Sequence, residues 1–193
     1  MSRAYDRLAG VLKTKSTQEA YAQAERLYLE QLPYAEQNYQ ENPCYERRIE
    51  LAVLYKNLAY IAHVQRTGTD EKENEMAYAE QFYRKSFELI KKNYEENPCY
   101  RSRRELALIY ERLGYVEQAK GPEFFRSAER YYRQSVELIE HNDTGISDIF
   151  SRRDLFYAYK MILDFYYSSG SDAAKEEIKY WETRMTLADS FGL

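Results

Sequence analysis

The two cysteines of this 193-residue chain both sit in the pentapeptide ENPCY, at residues 41–45 and again at 96–100. A pair of thiols can form a disulfide or hold a metal, and a helix N-terminus can lower a thiol pKa. The two copies lie in matching surroundings, NYQENPCYERRIEL and NYEENPCYRSRREL, offset by 55 residues. Equivalent positions of neighbouring repeats are separated by helix axes about 8–10 Å apart, whereas a disulfide wants Cα atoms within about 7 Å. Cys44 and Cys99 are therefore read as part of a repeated helix start. In that reading Asn is the N-cap, Pro takes the first helical position, and Cys and Tyr follow in the first turn.

No other catalytic grouping stands out. His63 and His141 have no Ser or Cys at a telling spacing, and no CxxC, HExxH or glycine-rich phosphate loop is present. The carboxylates are spread around helices as solvated faces are. No enzyme activity, no cofactor and no metal are expected.

The composition then sets which elements must position any site. Hydrophobic residues make up 44% and charged residues 31%, and 21 Tyr stand against 7 Gly and 4 Pro, a balance that favours long helices. The net charge of −4, from 28 basic and 32 acidic residues interspersed, offers no overall attraction to nucleic acid or anionic lipid. The N-terminal residues lack the apolar core of a signal peptide, and no stretch approaches the roughly 20 apolar residues that span a bilayer. The expected compartment is the cytoplasm.

The repeat extends well beyond ENPCY. Residues 46–61 fall on 101–116, pairing Leu51 with Leu106, Tyr55 with Tyr110 and Leu58 with Leu113. Farther on, AEQFYRKSFELI falls on AERYYRQSVELI, so that Ala79, Tyr83, Ser86 and Leu89 meet Ala128, Tyr132, Ser135 and Leu138. Tyr5 and Leu8 at one end, and Leu155, Tyr159 and Ile162 at the other, keep the same register. Apolar spacing of three and four makes the units helical. The pattern predicts one domain over 1–193 with eight helices in four antiparallel pairs, as repeats at about 2–41, 44–96, 99–142 and 147–190. The last repeat keeps the apolar rhythm of Ile178, Trp181, Met185 and Ala188 but loses the motif, as a capping repeat does. Ser16 with Glu19 and Asp70 with Glu73 have capping-box spacing, while Gly121-Pro122 and Gly170-Ser171 end one helix and open another. Pro33 should kink or break the second helix.

The recurring triplets Tyr5-Leu8-Ala9, Tyr55-Leu58-Ala59 and Tyr110-Leu113-Gly114 alternate with Ala79-Tyr83-Ser86 and Ala128-Tyr132-Ser135. This pattern resembles tetratricopeptide repeats, in a long-helix form similar to kinesin-light-chain-like and bacterial arrays. The resemblance covers nearly the whole chain. It implies an all-α, right-handed α-α superhelix of about four helix pairs, and a concave groove lined by the first helix of each pair.

On that frame, positions one, two and five residues after each anchoring Tyr should face the groove. They are Asp6, Arg7 and Gly10; Lys56, Asn57 and Tyr60; Glu111, Arg112 and Tyr115; and Lys160, Met161 and Asp164, with His63 farther along. The resemblance implies that Asn57 and Arg112 stand where carboxylate-clamp members hold the terminus of a bound peptide. Asp6, Gly10 and Leu108 depart from that clamp, which leaves two of five positions matching. A less specific peptide groove, using Arg7, Lys56, Asn57, Tyr60, His63, Arg112, Tyr115 and Lys160, fits better. The alternative for each residue is an intramolecular contact.

Arg48, Arg103 and Arg152 also share one register, each followed two residues later by Glu50, Glu105 or Asp154. Neutralising pairs between adjacent repeats are expected, rather than a ladder for an acidic partner. The function expected is a non-enzymatic scaffold for a protein or peptide partner, with neither nucleic acid nor membrane bound. The alternatives are a partner docked on the convex face and a structural subunit that self-assembles as a homo-oligomer.

Overall fold

The structure is a computed structural model that describes residues 17–65, 72–141, 149–170 and 174–189. The first expected helix, with Tyr5, Leu8, Ala9, Asp6, Arg7 and Gly10, lies outside the described residues, as do Ser16, Asp70 and Ser171. Among the described residues there are seven α-helices and no strand. They are α1 (Gln18–Glu41), α2 (Tyr45–Gln65), α3 (Lys72–Glu96), α4 (Tyr100–Lys120), α5 (Phe125–Glu140), α6 (Ile149–Ser169) and α7 (Ala174–Asp189). A single 3-10 turn, Pro122–Phe124, precedes α5.

The punctuation departs from expectation in three places. Helix α1 is capped by Thr17, whose Oγ1 accepts from the Ala20 N–H at 3.2 Å, so the cap sits one residue beyond Ser16. Pro33 does not break α1, which runs on to Glu41. Leu29 and Tyr34 beside it are 41% and 71% exposed, and water can serve the carbonyl that loses its donor.

The third correction concerns ENPCY. Asn42 is the C-cap of α1, its N–H donating to Asn38 O, and residues 42–44 are a link rather than a first turn. In both copies it is the Cys carbonyl that accepts the first helical bond, from Arg48 N–H in one and Arg103 N–H in the other, each at 3.0 Å. Asn97 lies two residues before the cap; Cys99 is extended, at φ −116° and ψ 170°, as an N-cap residue is. The second copy has a further device. Ser102 Oγ accepts from the Cys99 N–H at 3.0 Å, at a position that Arg47 holds in the first copy. Both cysteines are free thiols.

The chain forms two compact units, residues 1–97 and 98–193, so the division falls inside the second ENPCY. In the first unit α1 packs on α2, and α2 on α3. Ala24 and Tyr28, then Leu58 and Ala59, then Ala79, Tyr83 and Ser86 are all at most 2% exposed. The large apolar members each contribute about 1.5–3 kcal/mol by burial. Ser86 is small enough to let α2 approach, and its hydroxyl donates to Ala52 O at 2.8 Å. The second unit follows the same scheme, with α4 on α5, α5 on α6 and α6 on α7. Its core joins Ala128, Tyr132 and Ile139 to Tyr159, Ile162 and Trp181. Gly114 is required here: a Cβ on it would lie 2.9 Å from Tyr132 Cε1.

Arg48 and Arg103 show why the pairs run antiparallel. Arg48, at the start of α2, is buried and donates to Asn93 Oδ1 at 3.0 Å and Glu96 Oε2 at 2.7 Å at the far end of α3. Arg103, at the start of α4, donates to the carbonyl of His141 at the end of α5, at 3.1 Å. The last carbonyls of a helix lack partners and carry its negative pole, and a guanidinium answers both needs. The expected neutralising rung is not the arrangement at Arg48. Glu50 instead pairs with Arg47 at 3.0 Å, and Asp154 with Arg104 at 2.5 Å.

Candidate functional site

The first helices of the second unit, α4 and α6, lie side by side with a groove of about 540 Å³ between them. Helix α4 supplies Arg104, Leu108, Glu111, Tyr115 and Gln118, whose spacings of four and three form one stripe along the helix. Helix α6 faces it with Asp154, Tyr157, Lys160, Met161 and Asp164, and α5 provides a floor of Tyr132, Ser135 and Ile139. Tyr115 and Tyr157 stand at the mouth, 48% and 58% exposed.

Each end of the groove is bridged. At one end Arg104 Nε donates to Asp154 Oδ2 at 2.5 Å, and Tyr100 Oη donates to the same oxygen at 3.0 Å. At the other end Gln118 Nε2 donates to Ser168 Oγ at 2.8 Å, while Gln118 Oε1 accepts from Tyr132 Oη at 2.8 Å. Both bridges join residues 50 apart, so α4 and α6 run in parallel and in constant register. Fourteen helical residues separate the bridges along α4, which makes the basin about 21 Å long.

Glu111 stands midway between the bridges, and the same register puts Met161 opposite it. Burial pushes the Glu111 carboxyl above the usual carboxylate range, against the opposing pull of Arg112. The other charges of the groove are paired, Arg104 with Asp154 and Lys160 with Asp164 at 2.9 Å. The latter pair is largely exposed and is worth under about 1 kcal/mol.

Of the residues singled out in the sequence, Tyr115 and Lys160 line this groove, together with Glu111, Met161 and Asp164. Arg112 does not; it turns beside Glu111 at 3.7 Å with its side chain 41% exposed. Lys56, Asn57, Tyr60 and His63 lie half-buried on α2 of the first unit, where Tyr60 packs edge-on against Tyr21 of α1 at 6.5 Å. Asn57 belongs to the first unit and Arg112 to the second. Arg7 lies outside the described residues. Sequence reasoning missed Arg104, Gln118 and Tyr157. Extending the stripe of Tyr115 by threes and fours along α4 would have found the first two.

Among the described residues, no cluster of His, Cys, Asp and Glu could hold a metal ion, and no helix is long and apolar enough to cross a membrane. His141 is engaged at a helix end, its Nδ1 lying 2.7 Å from Glu137 O.

No protein-family model matches the chain, and no curated protein matches it significantly. Solved structures do share its fold. The structure titled DHF58 filament is 14% identical with a TM-score of 0.57, covering 98% of this chain and 91% of its own. A de novo designed helical repeat protein, DHR64, is 15% identical with a TM-score of 0.55, covering 98% and 93%. DHF79 filament is 14% identical at 0.52, covering 94% and 96%. At such identities the likeness establishes a helical repeat fold and nothing about activity.

Proposed function

We propose that the chain is a non-enzymatic scaffold that binds a peptide segment of a protein partner in the groove between α4 and α6. The observation that carries this reading is the basin itself: mostly apolar walls and floor, two exposed tyrosines at the mouth, and both ends closed by hydrogen-bonded bridges. Tyrosines bring large contact area with few rotatable bonds, and walls held by packed helices are already in place before a ligand arrives. The resemblance to tetratricopeptide repeats supports the same face of the first helices as the binding face.

The test is a random-peptide display against the full chain, repeated with Tyr115→Ala combined with Tyr157→Ala. Enriched peptides should bind the parent protein and lose on the order of tenfold or more in the double variant, as truncation of aromatic anchors does elsewhere. Failure to enrich any peptide, or equal binding by the variant, sinks the reading.

A second reading is self-association through the last helix pair. Tyr180 and Leu187, 47% and 57% exposed, are seven residues apart and share one face of α7. Two of the structures with a similar fold are titled as filaments, a property of those proteins. Light scattering that finds only monomer over a wide concentration range would eliminate this reading.

A further inference from the structure

We propose that the groove selects a peptide with a basic side chain, Lys or Arg, whose charged head is held by Glu111 at the centre of the basin. This rests on the peptide-binding reading and specifies its ligand.

Charge complementarity carries the proposal. Of the charged residues that line the groove, Arg104 is matched by Asp154 at 2.5 Å and Lys160 by Asp164 at 2.9 Å. Glu111 is left as the excess negative charge. Among the described residues its only ion pair is with the neighbouring Arg112, at 3.7 Å, beyond hydrogen-bond reach, and Arg112 is not part of the lining. Across the groove the register offers Glu111 the uncharged Met161. The Glu111 side chain is 29% exposed, and a partly desolvated carboxylate gains from a cation that joins it in the groove, because attraction strengthens as the local dielectric falls. The raised protonation range of Glu111 agrees with a group that lacks such a partner.

The walls suit the same cation. Tyr115, Tyr132 and Tyr157 line the basin, and tyrosine rings attract ammonium and guanidinium groups over their faces. The Tyr132 hydroxyl is committed to Gln118, which fixes that ring. An anionic ligand is disfavoured, since both cations of the lining already face carboxylates.

Shape argues for a side chain rather than a threaded backbone. The bridges Arg104–Asp154 and Gln118–Ser168 close both ends, so an extended chain cannot pass along the floor without breaking them. A long, flexible side chain can descend from a peptide lying over the mouth. The apolar stem of Lys or Arg would rest on Leu108, Ala158 and Met161 while its head reaches the carboxylate.

The experiment uses the full chain and the peptides taken from display. Each is resynthesised with its basic residue replaced by norleucine, and affinities are read by fluorescence anisotropy. Display should enrich Lys or Arg, the norleucine forms should bind about tenfold more weakly, and Glu111→Gln should abolish that difference. Arg112→Gln, which removes the cation paired with Glu111, should strengthen binding of the basic peptides. Circular dichroism confirms that both variants are folded. If the enriched peptides lack basic residues, if norleucine binds equally well, or if Glu111→Gln keeps the preference, this inference is overturned. In those cases the groove reading stands as long as Tyr115→Ala with Tyr157→Ala still weakens binding. If no peptide binds at all, both readings fall.

Discussion

Tyr159 donates to Glu140 Oε1 at 2.8 Å, so the first helix of the last pair is tied to the second helix of the pair before it. Tyr55 makes the same contact to Glu36 Oε1 at 2.5 Å, across the same separation of nineteen residues. These two anchoring tyrosines thus do two things at once, filling space with the ring and holding a carboxylate with the hydroxyl. In the last pair Arg184 of α7 completes the arrangement, bonding both Glu140 and, at 3.2 Å, the Tyr159 oxygen.

Removing the tie should therefore cost more when the carboxylate goes than when the phenol goes. Tyr159→Phe leaves Glu140 its arginine and should cost about 1 kcal/mol, the usual contribution of one hydrogen bond. Glu140→Ala leaves Tyr159 and Arg184 only their 3.2 Å bond to each other and should cost about 1.5–2 kcal/mol, toward the low end for charged groups because Glu140 and Arg184 are 33% and 39% exposed. Urea unfolding with an unchanged m-value provides the measurement. Equal costs would contradict the shared arrangement.

Gly114→Ala sets helix propensity against packing. Alanine is favoured in a helix by about 1 kcal/mol, but its Cβ would meet a buried Tyr132 ring whose hydroxyl is held by Gln118. Overpacking of this kind costs about 1–3 kcal/mol, so a net loss of about 1 kcal/mol is expected. A gain in thermal stability would show that Gly114 does not make room for the ring.

Stability should fall at alkaline pH. Tyr55, Tyr132, Tyr159 and Tyr166 are all held above the ordinary phenol range, first by burial and then, for Tyr55, Tyr159 and Tyr166, by hydrogen bonds to Glu36, Glu140 and Glu129. The fold favours the neutral phenol, so this contribution is complete below the unfolded value of about 10. It is lost as pH rises above that, when the unfolded chain releases protons the folded one retains. The urea midpoint should hold steady from neutrality to about pH 10 and then decline, with the tyrosinate absorbance of these residues appearing only on unfolding. A midpoint that rises through that range would refute the sign.

Cys99 should ionise below the ordinary thiol range. The backbone N–H of Ser102 is the chief cause and the Ser102 hydroxyl the next, with burial opposing them. Alkylation of Cys99 by iodoacetamide, followed by peptide mass spectrometry, should reach half its maximal rate below about pH 8.5, and Ser102→Ala should move that point part of the way back. A midpoint at or above the ordinary value would count against the cap.

The helices and their buried faces were legible in the order of residues alone. Tyr55, Leu58 and Ala59 on one kind of helix, and Ala79, Tyr83 and Ser86 on the other, are apolar or small at spacings of three and four, and all of them are buried. That outcome depends only on helical period and the hydrophobic effect, both of which act locally. Cap positions were less legible, because Ser16 and Thr17, or Asn42 and Cys44, are separated by one or two residues, and small differences in backbone preference choose between them.

Which residues meet across the groove was set by how the helices pack. Aligning the repeats places Arg104 on Arg153 and Gln118 on Tyr167, at an offset of 49. The helices settle one residue further along, at 50, where Arg104 finds Asp154 and Gln118 finds Ser168. Alignment compares like with like, whereas neighbouring helices bond unlike groups, donor to acceptor and cation to anion. That one-residue shift is also what leaves Glu111 facing Met161 rather than Lys160.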